Sequence, residues 1–160
     1  AATKAYLEGK CDALTSDRSQ LYGVRSALAD PDEHSILPEV ISKEPLSPAV
    51  REGDGNWSDL VRWTLFTLIN EEEMGVGSDN ADRVREQASK PEVRRLLDAD
   101  GDSGKALGIE PGWGYRIIKQ VGNYAEVFDR NLGKQSPLKI KRGLNALWND
   151  GGLMYAPPTR

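Results

Sequence analysis

Between Trp57 and Asn70 the apolar residues fall at three- and four-residue steps: Leu60, Val61, Leu65, Leu68 and Ile69, with Thr64 in the same row. That spacing places them on one face of an α-helix, and a face of this kind must be buried against something. Trp57 and Trp63 extend the stripe, and Asn56 or Ser58 can cap its start. Glu71, Glu72 and Glu73 come next in the chain. Negative charge opposes the negative end of the helix dipole, so the spacing predicts a solvated, fraying end there.

A second helix is predicted over Trp113–Arg130, with Tyr115, Ile117, Ile118, Val121, Tyr124, Val127 and Phe128 as its apolar face. Gly122-Asn123 interrupts it; glycine costs helix propensity, and Asn123 can recap the helix beyond the break. Around these lie weaker helical patterns at Ala1–Glu8, Asp79–Ser89 (DNADRVREQAS) and Pro91–Leu97 (PEVRRLL). Short strands are predicted at Cys11–Leu14, at His34–Ile41, where Pro38 restricts the segment to an edge, and at Ala49–Arg51. Ser42–Pro48 (SKEPLSP) reads as a linker or hinge. The tail from Ser136 has only scattered apolar residues and is expected to wrap a surface rather than build a core. The fold class is α/β, with helix outweighing strand.

Chemistry is concentrated where the first strand hands over to a helix. After Cys11–Leu14 come Thr15, Ser16 and Asp17, and then Leu21, Tyr22, Val24, Arg25 and Leu28 at helical spacing. In an open α/β sheet, ligands sit outside the carboxyl end of a strand, at the start of the next helix. A carboxylate at Asp17 suits a cationic group such as an α-ammonium. The same residues also suit a plain cap, with Ser16 or Asp17 accepting backbone N–H bonds and Gln20 closing a capping box.

Other chemistries find little support. Asp98, Asp100 and Asp102 open like a calcium loop, but Ser103 stands where the sharp turn needs glycine and Ile109 where a bidentate glutamate belongs. That stretch therefore reads as a solvated polar turn. With one histidine and one cysteine, a zinc site has too few ligands. The 160 residues carry a net charge of −4, which gives no electrostatic reason to expect nucleic acid. There is no glycine-rich nucleotide loop, no cofactor motif and no nucleophile elbow. Asn56-Trp57-Ser58 matches a glycosylation acceptor, a pattern common by chance. Cys11 cannot pair internally and reads as a small buried hydrophobe. The opening AATKAYLEGK has neither an initiator Met nor an apolar signal core, so a processed or partial chain is expected.

The runs Ala5–Asp17 (AYLEGKCDALTSD), Ile41–Ala49 (ISKEPLSPA), Gly122–Gly133 (GNYAEVFDRNLG), Ser136–Trp148 (SPLKIKRGLNALW) and Gly151–Pro158 (GGLMYAPP) together resemble one family. It is that of the periplasmic general L-amino-acid-binding proteins of proteobacterial ABC transporters, solute-binding family 3. The resemblance runs over nearly the whole chain and corresponds to the C-terminal half of such a protein. It implies a type II periplasmic-binding-protein fold, seen in part. Residues 1–41 then end lobe 2, and 42–48 form the returning hinge. Residues 49–133 belong to lobe 1, with a helical insertion at 75–112, and 134–160 are a tail on lobe 1.

The implied function is capture of L-amino acids by hinge closure, with delivery to a membrane permease. Asp17 is the position that takes the ligand's α-ammonium; Ser16 and Thr15 are neighbouring pocket positions. The carboxylate-binding Arg lies in the N-terminal half. In an oxidising periplasm, Cys11 stands where a disulfide to an upstream strand is reasonable. No cofactor, metal or catalytic residue is implied. Two other readings remain. One is a fragment with its own assembly, domain-swapped or nicked into two chains. The other is a dehydratase-like enzyme on this fold, which would need an acid–base pair in the cleft; Asp17 and Glu44 are the available candidates, and neither has an obvious partner.

Overall fold

The computed structural model describes residues 2–42, 45–100 and 102–159. Glu44 and part of the hinge lie outside the described residues, as does Gly101 of the acidic loop. The chain divides into two units, one of Ala1–Ser47 with Leu132–Lys141, the other of Pro48–Asn131 with Arg142–Arg160.

The first unit contains α1 (Ala2–Leu7), α2 (Arg18–Ser26) and a 3₁₀ turn at Pro31–Glu33. Neither helix has a buried residue. Polar contacts tie the segments: the Tyr6 hydroxyl meets His34 Nδ1 at 2.6 Å, and Arg25 Nε donates to the Pro31 carbonyl at 2.8 Å. The loop at 132–141 is closed by the Ile140 N–H on the Leu132 carbonyl.

The strands expected at Cys11–Leu14, His34–Ile41 and Ala49–Arg51 do not form; among the described residues the one ladder contact is an isolated bridge between Leu147 and Met154. Their backbone lies in irregular, unladdered structure. A strand exists through its hydrogen-bonded neighbour, whatever its own propensity. Unpaired, the segment leaves Val40 at 64% and Ile41 at 80% exposure. Cys11, expected to be buried in a strand, is an exposed free thiol for the same reason.

The second unit is helical. It holds α3 (Gly55–Glu73), α4 (Ala81–Gln87), α5 (Pro91–Leu96), α6 (Asp102–Ala106), α7 (Trp113–Val121) and α8 (Tyr124–Asn131). α3 is its axis and packs on α5, α7 and α8. One core cluster joins Val76, Ala81, Val93, Leu97 and Ile118; a second joins Ile69, Leu147 and Ala156, with Leu65, Phe66 and Tyr124 against it.

The predicted stripe forms α3, but its cap and its end differ from expectation. Asp54, not Asn56 or Ser58, caps it, accepting the Trp57 N–H at 3.0 Å. The helix therefore starts two residues early and carries Trp57 to 51% exposure, away from the core. The acidic end neither frays nor faces water as a block. Glu71 is fully buried, Glu72 meets Arg142 through both oxygens at 3.0 and 3.1 Å, and Glu73 accepts the Trp148 indole N–H at 3.1 Å. The tail thus lies along the last turn of α3, where the Asn70 amide also donates to the Pro157 carbonyl. It contributes Leu147 and Ala156 to a core as well, which its sparse apolar pattern did not suggest.

The interruption at Gly122-Asn123 is as predicted. α7 stops at Gly122, whose φ of +78° favours glycine. The Asn123 side chain then accepts the Glu126 N–H at 3.1 Å while the Glu126 carboxylate accepts the Asn123 N–H at 2.8 Å, a reciprocal cap for α8. At the other end of α7, a Cβ on Gly114 would stand 2.1 Å from the Leu96 carbonyl oxygen. Only glycine permits that approach of α7 to the end of α5.

Candidate functional site

Thr15, Ser16 and Asp17 lead directly into α2. Asp17 occupies the N-cap position with φ −51° and ψ 140°, and its carbonyl accepts the Leu21 N–H at 2.9 Å. Its carboxylate makes no capping bond. The first turn of α2 holds no acidic residue, so this half-buried carboxylate stands alone at the positive end of the helix dipole. Ser16 is exposed, and its hydroxyl donates to Gln20 Oε1 at 2.5 Å. The expected Gln20 contact is therefore made with the Ser16 side chain rather than with a backbone N–H. Thr15 is exposed. The three residues are adjacent in chain, and the described contacts bring no cation to Asp17.

Two open clefts lie elsewhere, both in the second unit. One, of about 670 Å³, is lined by Lys105, Gly108, Ile109, Glu110, Pro111 and Arg116. The other, of about 460 Å³, is lined by Asp82, Arg85, Glu86, Arg94, Ala99 and Tyr115. In the second, the Arg85 guanidinium lies 4.3 Å from the Tyr115 ring centre, and Asp82 accepts from Tyr115 and Lys119. Those hydrogen bonds hold the Asp82 carboxyl below the usual range.

Three carboxylates of the second unit have environments that spacing did not disclose. Asp98, read as part of a solvated turn, is buried with φ +50°. Its oxygens accept N–H bonds from Ser103, Gly104, Gly112 and Trp113, at 2.7 to 3.4 Å. A carboxylate so occupied is a backbone staple, not an open calcium ligand. Among the described residues no three acidic, histidine or cysteine side chains gather as for a metal.

Glu126 accepts from the Ser78 N–H and hydroxyl as well as from Asn123. Burial acts to raise its carboxyl, but these bonds and the charge of Arg130 outweigh it and hold it low. Glu71 is the reverse: burial first, and then the charge of Glu126, push its carboxyl up to about 9. One signal for it was present. Leu60, Thr64, Thr67 and Glu71 follow one helical row, so the buried stripe continues into the glutamate.

Among the described residues no helix is long and apolar enough to cross a membrane. No family model matches the chain. Individual proteins do. The chain is 55% identical over 159 residues to YhdW of Escherichia coli (strain K12), itself provisionally assigned as an amino-acid ABC transporter-binding protein; the match covers 99% of this chain and 47% of that protein. It is 53% identical to the general L-amino acid-binding periplasmic protein AapJ of Rhizobium johnstonii, over 98% of this chain and 46% of AapJ. A solved ABC transporter periplasmic binding protein from Brucella ovis, with glutathione bound, superposes with a TM-score of 0.90 at 53% identity, covering 99% of this chain and 50% of that one. The chain spans about half the length of the relatives it matches. Its helix-rich architecture is thus that of part of a periplasmic binding protein. Over the half of their length that it spans, the chain is homologous to amino-acid-binding proteins of ABC transporters.

Proposed function

We propose that this chain is part of a two-lobed periplasmic receptor that captures ligands bearing an α-amino-acid group and passes them to an ABC-transporter permease. Residues 1–41 contribute to one lobe, residues 42–48 act as a hinge, and residues 49–131 with the tail from Arg142 contribute to the other; the 132–141 loop groups with the first. The observation that carries this reading is Asp17: a half-buried carboxylate at a helix start, relieved of capping and with no cation paired to it among the described residues. Such a group binds an ammonium through charge-assisted hydrogen bonds. Ser16, its proton directed to Gln20, keeps lone pairs free to accept as well, and Thr15 stands beside it. A ligand bridging two lobes favours the closed state by its differential affinity for that state.

Glutathione, bound in the Brucella ovis relative, is a peptide whose glutamyl end carries a free α-ammonium and α-carboxylate. The same Asp17 contact serves a free amino acid or such a γ-linked peptide. Calorimetric titration of the complete protein with L-glutamate, L-glutamine and glutathione distinguishes them. Asp17→Ala is expected to weaken binding of the preferred ligand by more than tenfold, that is, by more than about 1.4 kcal/mol. Unchanged affinity would remove Asp17 from the site. An acid–base role on this fold has no support in Asp17, which faces no second titrating group among the described contacts; Glu44 lies outside the described residues.

A further inference from the structure

We propose that Glu71 is a proton-dependent fastening in the second unit: it is held as a neutral carboxylic acid beneath the last turn of α3, and losing its proton loosens that turn from α8 and the tail. Glu71 has 0% exposure, and among the described residues neither carboxyl oxygen has a hydrogen-bond partner. An ionised carboxylate in that position would be desolvated with no compensating donor, a cost that a protein avoids by keeping the group protonated.

Among the described residues the surroundings supply no cation to Glu71. Arg142 approaches the same turn from the tail, but its guanidinium is engaged by Glu72 and the Asn145 carbonyl. On α7, Lys119 is turned to Asp82 and the Ser78 carbonyl, and Arg116 to the Glu110 and Pro111 carbonyls. On α5, Arg94 pairs with Asp100 and Arg95 donates to the Thr159 carbonyl; on α8, Arg130 donates to the Val121 carbonyl. The charge that does act on Glu71 is Glu126, and it has the same sign. Glu126 is held ionised by N–H and O–H donors, so the two carboxyls divide the roles, one charged and one neutral. The residues beside Glu71 in the chain fasten the tail: Asn70 to Pro157, Glu72 to Arg142 and Glu73 to Trp148. Water or charge drawn in at Glu71 therefore strains three tail contacts together.

The direction with pH is set by linkage. The folded state keeps the Glu71 proton up to about pH 9, whereas the unfolded chain releases it near 4.5. Between those values the folded state binds the extra proton, so stability is greatest below 4.5, falls as pH rises, and levels off above about 9. One proton corresponds to as much as a tenfold loss in the folding constant per pH unit.

The test compares the complete protein carrying this chain with its Glu71→Gln variant by urea unfolding from about pH 5 to 10. The expected result is a shallower fall of stability with pH in the variant, the difference between the two curves growing up to about pH 9. Side-chain carboxyl carbon resonances of the wild-type protein provide a second measurement that does not need the variant to fold; Glu71 is expected to titrate far above the other glutamates. Parallel stability curves, or a Glu71 resonance titrating near 4.5, would overturn the proposal.

Discussion

Asp17 and Asp98 are both short carboxylates near helix starts, and the geometry of nearby N–H groups gives them opposite roles. Asp98 gathers four N–H donors from the Ser103–Gly104 and Gly112–Trp113 segments, and its positive φ aims it there. Aspartate tolerates that backbone conformation better than most residues. Asp98→Ala is expected to leave buried donors unpaired and to cost roughly 3 kcal/mol, read as a lower urea midpoint. Ligand affinity is expected to survive the change, because the Asp98 carboxylate is buried and already occupied by backbone N–H groups. The alternate-residue aspartate pattern suggested cation binding and then failed on its sixth and twelfth positions. What spacing could not supply was the return of the chain at Gly112, fourteen residues on, which delivers the N–H groups.

At the scale of elements, propensity and punctuation were read correctly where a segment carries its own hydrogen bonds. Helices α3, α7 and α8 were legible because helix ladders are local, and the α7–α8 break was legible because Gly122 and Asn123 are adjacent. Asn123→Ala removes one half of the reciprocal cap and is expected to destabilise by about 1 kcal/mol. Amide hydrogen exchange is expected to quicken first at Glu126, whose N–H the Asn123 side chain accepts. Strands were not legible to the same degree. The Cys11–Leu14 and His34–Ile41 patterns have strand composition but no paired neighbour among the described residues, and half of a ladder has no ladder bonds.

For the molecule as a whole, the tail shows how distant pairing reverses a local expectation. Three glutamates at a helix end ought to repel and fray. Instead Arg142, seventy residues later, clamps Glu72, with its guanidinium 5.3 Å from both the Tyr124 and Phe128 ring centres. The pair is sheltered, at 20% and 14% side-chain exposure, so its partners are partly desolvated. Arg142→Ala leaves Glu72 half-buried without its cation and is expected to cost about 3 kcal/mol. The same variant is expected to raise hydrogen exchange across Leu147–Met154 before α4 or α5 responds, because the tail is held by this clamp while those helices belong to the other core cluster.

Sequence alone determined the helical stripes, the Gly122-Asn123 break and the kinship with amino-acid-binding proteins, since these rest on periodicity, adjacent residues and runs of matching chain. Tertiary structure decided the fate of individual charges: Asp98 stapled, Glu126 ionised, Glu71 buried and protonated, Glu72 clamped. A carboxyl's state depends on which donors, cations and water reach it, and those come from segments far away along the chain.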